Sequence, residues 1–455
     1  MFRSASTFAR ILLCIVAVTV ATLGLVSLAQ SAQPATLDQA LADGALSLEE
    51  ALHLASDYNL DVQQAQEQIR AAEAQVRQAM SAYGPTIGLS ATHNRVFEVV
   101  SFSLPGQTVS LVGRDTLTAD LQVWHTLYTS GRRRAQVRAA AAGRTSARAA
   151  EARTRQVVAA NVKLAYYGVL TAQETVSVAQ DALASAQEQL RVAEARVRAG
   201  TAAEFDQIRA EAQAAQAQEA LLRAQNGVRL SRNALNYTLG IPLDTDYQLS
   251  TSLAAPREAP ALEQMEQRAL ERRPELVQAR AALTAARAQE AIARSGLRPN
   301  VMVGAGYRQV LKGSILDVST PSVTAALAWD LYDAGLTPGR LAQAKSEEQS
   351  AALLEEQFTQ TIQREVRDAL LNLRSAAERV AATQKTVAAA EEAHRIAQVR
   401  YDGEVGILLE VIDAQAALTA ARNDYNLALY EHHLAATELA LAVGEPVEPQ
   451  PPTAP

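Results

Sequence analysis

Two periodicities take turns along the chain. From Arg132 to Ala199, and again from Arg340 to Arg400, apolar and small residues recur every three or four positions. Val157, Asn161, Leu164, Gly168 and Thr171 follow this spacing, as do Leu183, Ala186, Leu190, Ala193 and Val197. That is the mark of a helical seam. No proline occurs between Pro105 and Pro242 or between Pro338 and Pro446, and one proline inside a helix costs ~3 kcal/mol. The two stretches predict helices of about 100 Å and about 90 Å, which cannot bury themselves in a compact domain and must pack along one another as coiled coils. Ahead of each long helix the period falls to two. Leu117, Ala119, Leu121 and Val123 alternate with Thr116, Thr118, Asp120 and Gln122. Val323, Ala325, Leu327 and Trp329 alternate with Thr324, Ala326, Ala328 and Asp330. Partner strands are expected over 87–100 and 301–311. Runs of roughly 11 to 13 residues suit tilted membrane strands; a half-buried soluble sheet gives the same alternation.

The chain reads as two copies of one unit. Leu60-Asp61-Val62-Gln63-Gln64-Ala65 returns loosely as Pro274-Glu275-Leu276-Val277-Gln278-Ala279, and Tyr83-Gly84-Pro85 as Leu297-Arg298-Pro299. Leu127-Tyr128 with Gly131 returns as Leu331-Tyr332 with Gly335, and Leu239-Gly240-Ile241-Pro242 as Val443-Gly444-Glu445-Pro446. The offset changes between Pro85 and Tyr128, so the first copy carries the longer hairpin loop. The expected plan is a first repeat over 45–250, with helices about 45–83, 131–199 and 204–239 and strands within 86–128. A linker at 251–257 leads to a second repeat over 258–446, with helices about 258–297, 337–402 and 408–444 and strands within 299–332. The end of the chain, 447–455, is proline-rich and expected to be extended.

Residues 1–31 read as an address. Arg3 and Arg10 precede the apolar run Ile11 to Leu28, and no acidic residue occurs before Asp38. A basic start, an apolar middle and small residues at the end describe a secretory signal peptide. Ser27-Leu28-Ala29 and Ala29-Gln30-Ser31 both offer a cleavage site, and an uncleaved anchor is the alternative. Cys14, the lone cysteine, follows Leu13 inside the apolar run and so does not fit a lipidation site. It also excludes a disulfide scaffold and a cysteine metal site. The hydrophobic content is 48% but the aromatic content 4%, so the apolar residues are chiefly Ala, Leu and Val. The net charge of −7 becomes −9 once Arg3 and Arg10 are removed, which argues against nucleic acid as a partner. No later stretch approaches the ~20 apolar residues of a transmembrane helix.

If the strands enter lipid, every backbone group on their edges must be paired. One chain supplies four strands, whereas barrels begin at about eight, so several chains must share one barrel. Helices of about 100 Å exceed a bilayer's thickness and must project to one side. Trp124, Tyr128, Trp329 and Tyr332 lie near the strand ends, where an interfacial aromatic girdle is expected.

The leader, the tandem copies and the helix-strand-strand-helix-helix order resemble TolC-like outer membrane factors over about residues 45–446. The resemblance implies a mostly α fold with a small β part. In it, a tandem-repeat α-helical periplasmic barrel of coiled coils joins a shared transmembrane β-barrel, with four strands per protomer and twelve in a homotrimer. It implies residence in the outer membrane of a Gram-negative-type cell, contact with outer membrane lipid, and no cofactor. It also implies work as the exit duct of a tripartite efflux or type I secretion system, with a periplasmic adaptor and an inner-membrane RND or ABC pump as partners. The family's sharpest motif, a Tyr followed nine and twelve residues later by carboxylates that narrow the tunnel mouth, is matched by Tyr401, Glu410 and Asp413. In a trimer the two acids would form stacked rings that favour cations; two solvated helix-face charges are the bland alternative. Asp206 matches the family's first-tip carboxylate. Its basic partner is missing, because Gly406 stands at that position; Arg209 and Arg400 are the candidates to replace it. The tips around Gly200, Thr201, Gly403 and Gly406 are small and would let an adaptor's helical hairpin dock closely.

Other groups carry less. His432 and His433 lack the i, i+4 spacing of a helical metal site, and a surface role is expected for them. Arg132-Arg133-Arg134 is either a solvated helix start or a basic collar at the lipid headgroups. No nucleotide loop, partnered nucleophile or paired carboxylates in a cleft are found, so an enzyme is not expected. An exported coiled-coil adaptor or structural protein is the competing reading.

Overall fold

Each repeat begins with a helix broken in two, by a capping asparagine in the first and by a proline in the second. The computed structural model describes residues 44–98, 101–104, 107–110, 114–250, 261–312 and 319–445. The leader with Cys14, the linker and the tail 447–455 lie outside them. A short strand β1 (Ala45–Leu46) precedes α1 (Leu48–Tyr58) and α2 (Leu60–Ser81). Ser47 opens α1 through a capping box with Glu50, and Asn59 opens α2, its side chain accepting from the amides of Asp61 and Val62. One continuous helix over 45–83 is therefore interrupted at Asn59, in extended conformation. In the second repeat α5 (Leu262–Arg272) and α6 (Pro274–Arg294) are separated in the same way at Arg273, which is extended because Pro274 follows it.

The strands come next: β2 (Thr86–Arg95), a small separate hairpin β3 (Ser101–Leu104) and β4 (Gln107–Ser110), and β5 (Asp115–Tyr128) in the first repeat, β7 (Asn300–Lys312) and β8 (Ser319–Ala328) in the second. The expected strand over 87–100 thus stops at Arg95, and the longer loop of the first copy folds on itself as β3–β4. Each sheet hairpin leads into a 67-residue helix, α3 (Arg132–Arg198) or α7 (Leu336–Asp402), and a 36-residue return helix, α4 (Glu204–Leu239) or α8 (Leu408–Val443). A short β6 (Gln248–Leu249) pairs in parallel with β1.

The short helices meet the return helices at a joint that both repeats share. Gly240 ends α4 at φ +78°, and a Cβ there would lie 2.6 Å from the Tyr58 carbonyl oxygen, so only glycine fits. Beside it Asn59 Nδ2 donates to the Thr238 carbonyl at 2.8 Å. In the second repeat Gly444 packs against the backbone of Arg272 and Arg273, and Arg273 Nη1 donates to the Ala442 carbonyl at 3.1 Å. Arg273 is buried, and its guanidinium also meets Glu275 at 3.0 Å and Glu365 at 2.7 Å.

The buried stripe of α3 is one residue out of register with the expected seam. Val158, Val162, Tyr166 and Val169 are buried, whereas Asn161 is exposed. Neighbouring valines and alanines make two registers equally apolar; the packing of Tyr166, whose hydroxyl donates to the Leu46 carbonyl at 2.9 Å, selects one. Further along, Ala186 and Ala193 are buried as expected of their spacing. His432 is also buried, 5% exposed, with neither ring nitrogen hydrogen-bonded among the described residues. His433 stacks on Tyr167 at 4.1 Å. The surface role expected for this pair therefore does not hold for His432: α8 packs on both α3 and α7, so it has little face left for solvent.

The four long strands form one antiparallel sheet in the order β2-β5-β7-β8, with β2 and β8 at open edges. Opposed residues share a face. One face carries Ile87, Leu89, Leu121, Val123, Ala305 and Val323; the other carries Ser90, Thr92, Thr118, Asp120, Gln122 and Arg308. Arg308 Nε donates to Asp120 at 2.5 Å on that polar face. Trp124 belongs to the polar face as well: a Cβ on Gly304 would strike its ring at 2.5 Å, and its indole donates to Gln122. A lipid-facing girdle formed by the apolar face therefore does not include Trp124. A bulge between Thr126 and Tyr128 inverts the alternation, so Tyr128 lies opposite Val301 on the apolar side. Trp329 and Tyr332 follow the end of β8; the Trp329 indole donates to the Leu297 carbonyl at 3.1 Å, and Tyr332 is exposed. Arg133 reaches over the Tyr83 ring and donates to the Ala82 and Leu127 carbonyls, tying the helical part to the sheet. Its neighbours Arg132 and Arg134 are exposed.

Candidate functional site at the helical tips

Far from the sheet, the two helical hairpins close in turns that differ in chemistry but not in position. Offset by the repeat, Gly200 corresponds to Glu404 and Arg196 to Arg400. Gly200 takes a left-handed φ of +75°, and Glu404 takes the same turn at φ +59°. In the first turn the amide of Thr201 donates to the Arg196 carbonyl at 2.9 Å; in the second the amides of Val405 and Gly406 donate to the Arg400 carbonyl at 3.0 and 2.9 Å. Gly403 sits at an ordinary φ of −80°. A Cβ on Gly406 would come within 3.1 Å of the Arg400 backbone, so a side chain there is crowded.

The two tips are packed together. Ala193 and Ala210 of the first hairpin form one apolar cluster with Ala397, Tyr401, Leu408, Val411 and Ile412 of the second. Tyr401 is its aromatic member, 6% exposed. Its hydroxyl titrates above the ordinary tyrosine range, chiefly because burial disfavours the anion. Arg196 opposes that shift and Asp206 adds to it, so both lie within electrostatic reach of Tyr401. The Arg196 guanidinium lies 4.1 Å over the Tyr401 ring, and its Nη2 donates to the Tyr401 carbonyl at 3.1 Å.

Neither basic residue expected beside Asp206 serves there. Arg209 lies over the Phe205 ring, and Arg400 meets Glu410 at 3.6 Å. Asp206 itself has no ion pair among the described residues. At the tips Arg196 bridges the hairpins, and the spacing of motifs does not single it out. Its signal in the sequence is its place as the repeat partner of Arg400. Glu410 and Asp413 are both exposed, one turn apart on the first turns of α8. Behind them two more polar bonds join the hairpins: Ser185 donates to Gln415 Oε1 at 3.1 Å, and Arg422 links Asp181 at 3.1 Å to Glu391 at 3.0 Å. Among the described residues no group of three or more His, Cys, Asp or Glu is placed to hold a metal, and no helix is long and apolar enough to cross a membrane.

Comparison with known proteins identifies the family and the fold. The family model described as outer membrane efflux protein matches residues 51–241 and 266–445. The fold is similar to the CmeC outer membrane channel of Campylobacter jejuni, at a TM-score of 0.76 and 18% identity over 87% of this chain and 85% of that one. It is similar to the outer membrane protein VceC of Vibrio cholerae, at 0.73 and 21% over 87% and 96%. The open state of the MtrE outer membrane channel of Neisseria gonorrhoeae matches at 0.73 and 21% over 88% and 89%. No curated protein sequence matches the chain.

Proposed function

Since the chain belongs to the outer membrane efflux protein family, an outer membrane exit duct with its helical part in the periplasm, we propose that it works as a homotrimer opened by a periplasmic adaptor and an inner-membrane pump. The observation that carries the trimer is the sheet: it has an apolar face and two open edges, β2 and β8. Unpaired edges are prohibitive in lipid, and β8 of one copy runs antiparallel to β2 of the next, so the ring can close by repetition. The periplasmic gate is the packed tip: Tyr401 and Asp206 at the joint between hairpins, Glu410 and Asp413 as acidic rings facing the tunnel. The tips around Gly200, Thr201, Gly403 and Gly406 receive the adaptor. The chain has no catalytic role in this reading; it lets pass what the pump selects.

The trimer is tested by electrophoresis and by planar bilayers. A heat-modifiable trimer that conducts in a bilayer supports the duct; a monomer that stays in aqueous buffer and never conducts overturns it. For the tips, Val405→Arg is a cleaner probe than Gly200, whose left-handed backbone would be strained by any side chain. Val405 is 75% exposed, so the variant should insert normally yet lose export. Unimpaired export would place the docking site elsewhere.

A further inference from the structure

Two β-bulges mark the two ends of the apolar sheet face. One, already described, turns Tyr128 to that face at the end nearest the helices. The other lies between Leu117 and Thr118 of β5, at the end nearest the hairpin loops. Gln309 pairs with Ala119 and Val310 with Thr118, so Leu311 would be next, opposite Leu117. The bulge skips it, and Lys312 pairs with Leu117 instead. A bulge that exchanges an apolar side chain for a cation on a lipid-facing surface re-aims that cation. Lys312 does not arrive alone. His93 is opposite Leu117 on its other side, which sets His93, Leu117 and Lys312 in one row across three strands. Arg95 and Asp115 form the next row outward. Asp115 Oδ1 stands 3.7 Å from His93 Nε2 and 3.8 Å from Arg95 Nε, too far to occupy either fully. Their side chains are 56% and 65% exposed. Below this level the face runs from Leu89, Leu121 and Tyr307 down to Val301 and Leu327 and is apolar except at His125, which pairs with Val303.

The helices join the sheet at the opposite end, so these rows lie at the outward rim of the apolar band. His93 and Arg95 flank the single carboxylate of Asp115 there, and Lys312 stands in the same row as His93 across Leu117, leaving a net positive rim at the depth of lipid headgroups. We propose that His93, Arg95 and Lys312 form a binding site for phosphate groups of outer-leaflet lipid, repeated around the barrel. This rests on the reading of the sheet as part of a shared membrane barrel. The oxygens of a phosphate would accept from Lys312 Nζ and from the Arg95 guanidinium, which Asp115 leaves available.

The test uses purified wild-type trimer and the R95Q/K312Q variant in detergent, with lipid A bearing both phosphates, its dephosphorylated form, and inorganic phosphate as probes. Bound lipid is counted by native mass spectrometry. At about fivefold per basic side chain, the double variant should bind the phosphorylated lipid ~30-fold less tightly, and R95K/K312R should bind as wild type does. Millimolar inorganic phosphate should not displace the lipid. Equal binding by R95Q/K312Q, or equal binding of the dephosphorylated lipid, overturns the site. Displacement by inorganic phosphate reassigns it to the free ion and overturns the lipid reading. Bilayer conductance separates the two levels: conducting variant trimers with unchanged lipid binding refute the rim alone, and wild type that forms no conducting trimer refutes the duct.

Discussion

The Arg196 guanidinium is stacked 4.1 Å over the ring of Tyr401 and bonded to its carbonyl, fastening the last turn of α3 in the first repeat to the last turn of α7 in the second. The same position in the second repeat, Arg400, faces Glu410 on its own hairpin. Of this equivalent pair, the arginine of the first repeat joins two hairpins and that of the second closes its own, and the tip has its cross-link where Gly406 offers none.

Arg196→Ala should loosen that joint. A cation–π contact and a charged hydrogen bond together are worth about 1–2 kcal/mol, or roughly tenfold in the open population. Single-channel recordings should show a correspondingly higher open probability with trimer assembly intact. An unchanged open probability would remove Arg196 from the gate.

Neutralising both acids, Glu410→Ala with Asp413→Ala, should weaken cation preference and block by cations, because stacked acidic rings set the local potential at a narrow mouth. Reversal potentials in asymmetric salt read this out directly. The single Glu410→Ala variant also frees Arg400, so it should lower cation preference further than Asp413→Ala does.

Gly240→Ala should cost more than Gly200→Ala. Both glycines have positive φ, worth about 1–2 kcal/mol against an L side chain, but only at Gly240 would the added Cβ meet backbone at 2.6 Å. Thermal melts of the helical part should place Gly200→Ala modestly below the wild type and Gly240→Ala well below both.

Mild acid should destabilise the helical part. Burial holds His432 below the ordinary histidine range, and burial followed by Arg422 does the same for His394. Above the unfolded-state pKa of about 6.5 both states are neutral and stability is complete. As pH falls below it, the unfolded chain takes up the protons first, and stability drops until the folded pKa is passed, by at most about 1.4 kcal/mol per pH unit for each group. The melting temperature should therefore fall between pH 7.5 and pH 5.5, and His432→Phe should remove part of that fall. An equal fall in the variant would assign the effect to other groups.

The sequence by itself determined the tandem plan, the long helices, the alternating strands and the Tyr401, Glu410, Asp413 spacing. Each of these is local: proline exclusion, period and capping act within a few residues of themselves. Tertiary structure decided what depends on neighbours distant along the chain. The break at Asn59 is capped locally and the one at Arg273 is imposed locally by Pro274, but their places under Gly240 and Gly444 are fixed by contact between helices. The α3 seam settled on Val158 rather than Val157 because several faces of an alanine-rich helix are equally apolar, and only a partner breaks that tie. Trp124, Tyr128 and Lys312 took their faces from bulges and register, which are properties of a strand pair and not of either strand. Arg196 met Tyr401 across more than two hundred residues, a pairing that exists only once two hairpins lie side by side.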